Sequence, residues 1–222
     1  MKNLPKTVKK NLKFTALIFL FISGNTFSQD TTAVYYRHEL TLGGGYIYGF
    51  EKDIFNISDD DGINSAAGLN LNYCYSFSSE LSAGVRLFGY IKSLPGYNVI
   101  NQSGISEEVD FVMKMFNYFG EFRYTFKRGS IEPYCFISGG AALGTVTGNN
   151  EKLKASGFSI GAGAGIKIDL GNKIKFSAEL IGTLGSAKWE SRPFINSSGD
   201  KYNPSMFCIF IGISQYIGSP QK

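Results

Sequence analysis

The chain is poor in the residues that most site chemistry needs. Among its 222 residues there is one histidine, His38, together with three cysteines and one tryptophan. A hydrolytic triad built on His38 would need a serine and an acid brought to it from elsewhere, and the local H-E-L-T carries no hydrolase signature. Cys74, Cys135 and Cys208 are far apart and lack zinc-binding spacing. No stretch of about 18 apolar residues occurs, which excludes a membrane-spanning helix. Any insertion into lipid must then use strands, and only a closed barrel satisfies their backbone groups there. No acid occurs before Asp30, and no low-complexity linker marks a second domain.

The acid-free start carries Lys2, Lys6, Lys9, Lys10 and Lys13, followed by the nine-residue apolar run Phe14–Ile22. Thr26 and Ser28 are small residues at −3 and −1 of a cut before Gln29. Residues 1–28 therefore read as a cleaved secretory signal peptide and residues 29–222 as one domain. The apolar run is too short to anchor as a helix, and no cysteine follows it to carry a lipid. The formal charge of +4 belongs to this leader. Taking its five lysines from the 22 basic residues leaves 17, against 18 acidic ones. A nearly neutral mature chain removes the main ground for a nucleic-acid partner.

What the chain has in quantity is glycine (27), phenylalanine (19) and tyrosine (13), arranged with a period of two. From Gly157 to Leu184 it runs GFSIGAGAGIKIDL, GN, KIKFSAELIGTL. Phe158, Ile160, Ala162, Ala164, Ile166 and Ile168 alternate with Ser159, three glycines, Lys167 and Asp169. Ile174, Phe176, Ala178, Leu180 and Leu184 alternate similarly with polar residues. Both arms read as strands, joined by a tight turn at Gly171-Asn172. Each arm matches the roughly 9–11 tilted residues that cross a bilayer.

Six further strands are predicted, near 35–48, 66–77, 81–91, 109–126, 131–147 and 205–217. Strand one sets Leu40, Leu42, Tyr46 and Tyr48 against Arg37, Glu39 and Thr41. Strand five is apolar on both faces and has no readable orientation. The connections after strands two, four and six are short; those after strands one, three, five and seven are longer. The predicted longer loops are 50–65, Lys92–Ser106, Asn149–Lys154 and Trp189–Asn203. This is the layout of an eight-stranded antiparallel up-and-down transmembrane barrel, with short periplasmic turns and longer extracellular loops.

The polar faces carry Arg86, Glu121, Arg123, Lys167, Lys175 and Glu179 in mid-strand. Facing lipid, each Arg or Lys near the midplane would cost roughly 2–4 kcal/mol, so these six are expected inside as a structural, ion-paired cluster. Eight strands leave a lumen that side chains can fill. A plugged core is the leading expectation, and a narrow pore or proton relay the alternative. Tyr75, Phe77, Tyr124 and Phe126 at the turn end, and Tyr46, Tyr48, Tyr90 and Trp189 at the loop end, are expected as lipid-facing girdles rather than ligand platforms. A soluble lipocalin-like barrel would reverse the two faces; loop alternation and strand length count against it.

The remaining features carry little chemistry. Asp59-Asp60-Asp61-Gly62 departs from the calcium-loop pattern, since Ile57 and Gly68 would stand at its first and last ligand positions. A solvated loop tip is expected, with a weak divalent-ion site as the alternative. Gly161, Gly163 and Gly165 lie within a strand, so they form no nucleotide loop; small residues there relieve crowding inside the barrel. The cysteines are expected as free, buried thiols, although export leads to an oxidising compartment. No cofactor, catalytic residue or metal ligand is assigned.

The lysine-rich leader ending TFSQ, the Gly-aromatic strands LTLGGGYIYGF and FISGGAALGTVTG, and the 157–184 hairpin resemble the small outer-membrane β-barrel proteins of Gram-negative bacteria. Within them the pattern is similar to the porin-like family common in Bacteroidota, which includes the PorT type. The terminal QYIGSPQK departs from the closing aromatic of many such barrels, though Tyr216 stands near that place. The resemblance implies residence in the outer membrane, with lipid, lipopolysaccharide and envelope proteins as partners. Roles vary among members of that family; the leading expectation is a non-enzymatic structural or interaction role, with an accessory part in secretion or surface assembly as one form of it. A narrow porin or transporter of small or apolar solutes is the alternative, and a membrane-embedded hydrolase a third.

Overall fold

A computed structural model of the chain describes residues 35–49, 65–100, 106–148, 151–190, 201–202 and 204–221. The proposed leader and the Asp59–Asp61 run lie outside these residues. The described chain is all β, with strands β1 (Tyr35–Gly49), β2 (Ser65–Ser76), β3 (Leu81–Ile100), β4 (Ser106–Thr125), β5 (Ile131–Gly148), β6 (Glu151–Gly171), β7 (Ile174–Trp189), β8 (Lys201–Tyr202) and β9 (Met206–Gln221). Consecutive long strands pair antiparallel, and β9 pairs with both β7 and β1. Eight strands thus close an up-and-down barrel with no edge left in the wall. The two-residue β8 only brackets the end of β7, at Ala187 and Lys188.

The alternation dictates which face is buried. In β2, Gly68, Asn70, Asn72, Cys74 and Ser76 point inward, while Leu69, Leu71 and Tyr73 point outward. In β9, Met206, Cys208, Phe210, Ser214 and Tyr216 point inward, while Phe207, Ile209, Ile211 and Ile213 point outward. Polar residues and the largest apolar side chains share the interior, whereas the outer wall is aliphatic and aromatic. A one-residue slip in any strand would exchange these faces, so the register is strongly specified.

Several local expectations are corrected. The predicted loop 92–106 is mostly strand: β3 and β4 pair up to Ile100 and Ser106, and Pro95-Gly96 falls at a register shift between Leu94 and Tyr97. Between β5 and β6 only residues 149 and 150 intervene, with Gly148 paired to Glu151. That connection is as short as a turn, so the regular short–long alternation fails there. β6 begins at Glu151 rather than Gly157, and β7 continues to Trp189 rather than ending at Leu184. Polar residues beyond the apolar pattern can still pair along a ladder, and apolar periodicity is blind to this.

The β6–β7 turn sits one residue later than predicted. Asn172 and Lys173 are its centre, both with positive φ (53° and 65°), and Gly171 occupies a register shift beside it with φ 89°. Two successive positive-φ residues match the twist of a hairpin. Asp169 Oδ1 accepts the Gly171 N–H at 2.8 Å and braces the shift. Arg37 is exposed rather than inward beside Glu39, because a shift between Tyr36 and His38 takes it out of the alternation. Tyr90 is an interior residue rather than a girdle, and its hydroxyl donates to Met113 Sδ at 3.4 Å. Cys135 is only half-buried, while Cys74 and Cys208 are fully buried; all three are free thiols.

Candidate functional site

The interior of the turn-side half is a continuous ionic network. Arg86 on β3 points across the lumen. Its Nε donates to Glu121 on β4, and its Nη1 donates to Glu179 on β7 at 2.6 Å. Arg123, two residues from Glu121 on the same inward face, donates from Nη2 to Glu121 Oε1 at 2.8 Å and from Nη1 to Glu39 Oε1 at 2.9 Å. Lys167 on β6 donates to the other oxygen of Glu39. Five of the six charged residues picked out by alternation therefore meet, with Glu39 as the missing link between Lys167 and Arg123. Lys175 stands apart, in a second group nearer the turns. There it pairs with Glu132 at 2.7 Å, alongside Arg128 at 3.5 Å and the donating Tyr216 hydroxyl at 2.7 Å.

The network is closed by groups that alternation did not single out. Asn70 Nδ2 donates to Glu179 at 3.0 Å, Asn72 Oδ1 accepts from Arg123 at 3.1 Å, and the Tyr134 hydroxyl donates to Glu179 at 2.5 Å. Two aromatic rings from β5 then cap the cations. Arg86 lies 4.5 Å from the Phe136 ring centroid, and Arg123 lies 4.5 Å from that of Tyr134. These are cation–π distances. Strand β5 had no readable orientation because both faces are apolar; its inward aromatics serve the charges, and its outward Ile137 meets the surroundings.

The inward glycines of β6 are what make room for those rings. A β-carbon on Gly165 would come within 2.5 Å of the Tyr134 ring. One on Gly163 would collide with both the Phe136 ring and the Leu180 carbonyl oxygen. The Gly-x-Gly-x-Gly run is thus a flat floor on which two aromatic plates rest, each with a guanidinium on its other side.

Toward the loop end the interior changes character. Ile47, Phe88, Tyr90, Phe111, Met113, Met115, Phe119, Val146, Leu153, Ile181, Met206 and Phe210 form one buried apolar cluster. Phe88 makes edge contacts with Phe119 and Phe210, at centroid distances of 5.4 and 6.0 Å. Along the lumen the molecule is therefore filled twice, first by ion pairs and then by hydrocarbon.

His38 lies on the outer face near the turn end. Its Nδ1 is 2.8 Å from the Tyr73 hydroxyl, and its ring packs against Tyr73 and Tyr75. Among the described residues no carboxylate or serine contacts it, and no group of three His, Cys, Asp or Glu side chains could hold a metal. Tyr75 with Phe77, and Tyr124 with Phe126, make edge contacts at 5.3 and 5.2 Å around the turn-end rim. The side chain of Trp189 lies outside the described residues.

The outer wall identifies the class. Leu42, Leu69, Val85, Ile137, Phe158, Leu184 and Ile211 are all more than half exposed. A soluble protein rarely shows an apolar surface of that extent. The outward band from Phe116 on β4 to Phe126, one residue past its end, spans about 34 Å of chain, or roughly 25 Å of height at a tilt near 40°. Charged inside and apolar outside over a bilayer's thickness, the chain is a membrane-spanning β-barrel. In fold it is similar to small outer-membrane barrels. One is the attachment invasion locus protein Ail of Yersinia pestis, at 14% identity over 82% of this chain and 99% of that one, with a TM-score of 0.44. Another is OprG from Pseudomonas aeruginosa, at 11% identity over 83% and 98%, TM-score 0.49. It is also similar to the outer membrane protease OmpT of Escherichia coli, at 7% identity over 88% and 100%, TM-score 0.37. No protein-family model matches the chain, and no curated protein matches it.

Proposed function

We propose that the protein resides in the outer membrane and acts through its surfaces, as a structural or interaction partner of the envelope, rather than through a reaction or a conduit. The observation that carries this reading is the filled lumen. Arg86 bridges Glu121 and Glu179 from opposite walls, and an apolar plug follows it along the axis. A conduit would need those pairs to part. Breaking one buried pair costs about 3–5 kcal/mol, and that energy has no evident source in a passive barrel. The leader and the narrower likeness to the porin-like, PorT-type barrels of Bacteroidota rest on the sequence pattern and belong to the same proposal. Under it, the short turns face the periplasm and the longer loops face outward.

The test is purification of the tagged protein from native outer membranes in mild detergent, with co-purifying proteins identified. A stoichiometric envelope partner is expected. A clean monomer that conducts steadily in planar bilayers would overturn the reading in favour of a narrow porin. A gel comparison of unheated and boiled protein checks the barrel itself, which should migrate faster before heating. For the hydrolase alternative, His38→Ala is expected to leave lipid turnover unchanged, because among the described residues the ring contacts tyrosines and no acid.

A further inference from the structure

At the turn end the lumen opens into a cup of about 500 Å³, walled by the β4–β5 and β6–β7 turns and by the adjoining ends of β1 and β9. Its floor is closed. Glu132, Lys175 and Tyr216 are buried there, and Lys167 of the ionic network lies 5.9 Å from the Tyr216 ring centroid. Most charge around the cup is already committed. Arg128 donates from Nε to the Ser79 carbonyl at 2.6 Å, from Nη2 to Ser76 Oγ at 3.3 Å and from Nη1 to Glu132 at 3.5 Å. Lys175 donates to Glu132 at 2.7 Å and to the Gly129 carbonyl at 2.9 Å.

Two opposite charges on the rim are left over. Asp169 is level with Lys175 in the β6–β7 ladder, but that ammonium is turned to Glu132. The Asp169 carboxylate accepts only the Gly171 N–H, at 2.8 Å. Lys173, across the same turn, donates to the Gly218 carbonyl at 2.9 Å and lies 5.4 Å from the Tyr36 ring centroid. Its other N–H bonds have no partner, since an ammonium carries three. Neither Asp169 nor Lys173 makes an ion pair among the described residues, although both line the cup. Each is held by its own backbone bond, so the two do not neutralise one another. Tyr36 stacks on Tyr216 at 5.3 Å between centroids, and the Tyr36 hydroxyl makes no hydrogen bond among the described residues. The rim thus presents an anion, a cation and an aromatic wall around one mouth.

We infer that this cup receives the carboxyl-terminal end of a partner polypeptide whose last residue is basic. The terminal carboxylate is placed on Lys173 and the Tyr36 hydroxyl, and the basic side chain on Asp169, with its methylene stem along the Tyr36 ring. A closed floor admits a chain end and excludes a segment that must pass through. A basic last residue carries both charges within one residue, as the rim carries both of their partners across one turn. The inference deepens the interaction reading above and rests on it; under that reading the turn end, and hence the partner, is periplasmic.

The test is a titration of the isotope-labelled protein, purified in detergent micelles, with the peptide acetyl-Ala-Gly-Ala-Lys. Binding is read from the backbone amide shifts of Gly171 and Lys173. Two further peptides remove one charge each: the C-terminal amide, and the free acid ending in norleucine. The parent peptide is expected to saturate these shifts, and each altered peptide to bind about fivefold more weakly, the scale of one exposed ion pair. Asp169→Asn, which keeps an acceptor for the Gly171 N–H, should abolish the preference for lysine over norleucine and retain that for acid over amide. Lys173→Gln should do the reverse. Absence of saturable binding to the wild type would overturn the site, as would preferences that neither variant changes. Free lysine binding as tightly as the peptide would make the cup a small-solute site and overturn the chain-end assignment. Heat-modifiable migration of each variant separates loss of the site from loss of the fold. A negative titration leaves the outer-membrane reading standing, because that reading is judged by the native purification.

Discussion

The two halves of the lumen solve one problem with opposite chemistry. The turn-side half buries Glu39, Arg86, Glu121, Arg123, Lys167 and Glu179, and satisfies nearly every lone pair and N–H with a partner. The loop-side half buries methionine, phenylalanine and isoleucine and needs no partners. Asn117 is one exception: Nδ2 donates to Met206 Sδ at 3.5 Å, while Oδ1 meets none among the described residues. A water-facing protein would keep charges out and hydrocarbon in. Here lipid covers the outside, so the interior is the only place for charge, and hydrocarbon is equally acceptable on both sides of the wall. The ionic half therefore supplies geometry, since each guanidinium is directional, whereas the apolar half supplies packing.

The largest effect should come from opening the ionic half. Arg86→Met leaves Glu179 buried without its nearest cation and Glu121 with Arg123 alone, and should cost about 3–5 kcal/mol in urea unfolding of the reconstituted barrel. Replacing Arg86, Glu121 and Glu179 together with apolar side chains should recover most of that loss. If the triple variant is as unstable as the single one, ion pairing itself stabilises this half. Opening the apolar half comes next: Phe88→Ala removes the ring between Phe119 and Phe210 and should cost about 3 kcal/mol by the same measurement. A value near zero would mean that the loop-side filling is loose, and the contrast between the halves would fail.

A smaller effect is expected at the floor of the ionic half. Gly163→Ala pushes a methyl against Phe136 and the Leu180 carbonyl. It should cost about 1–3 kcal/mol as an overpacking change, while Gly182→Ala, with open space at its β-carbon, should stay near neutral. The smallest effect lies outside both halves, at the β6–β7 turn. Lys173 holds a positive φ of 65° that glycine adopts freely. Lys173→Gly should change stability by less than about 1 kcal/mol, because relief of the backbone is offset by loss of the bond from its Nζ to the Gly218 carbonyl.

The apolar outer wall was legible because a strand's period of two is local: Leu69, Leu71 and Tyr73 against Asn70 and Asn72 need no partner strand to be read. Arg86, Glu121, Arg123, Lys167, Lys175 and Glu179 were legible for the same reason, being charges in the middle of long alternating segments. Strand β5 was not, because Tyr134 and Phe136 look as apolar as Ile137, and only the guanidiniums facing them distinguish inside from outside. Residues 92–100 and 151–154 read as loop because their apolar alternation is broken, whereas ladder pairing with a neighbour makes them strand.

Alternation, strand length and the absence of a long apolar run were enough to specify an eight-stranded barrel turned inside out, because lipid allows no other way of satisfying a β backbone. Which carboxylate serves which cation was decided by closure. Glu39 joins Lys167 to Arg123, and Arg86 takes both Glu121 and Glu179, because the curvature and register of the closed wall bring residues from five strands within reach of one another. The division of the lumen into an ionic half and an apolar half arises in the same way. The heights of each strand's inward residues along the barrel axis are set by the stagger between strands.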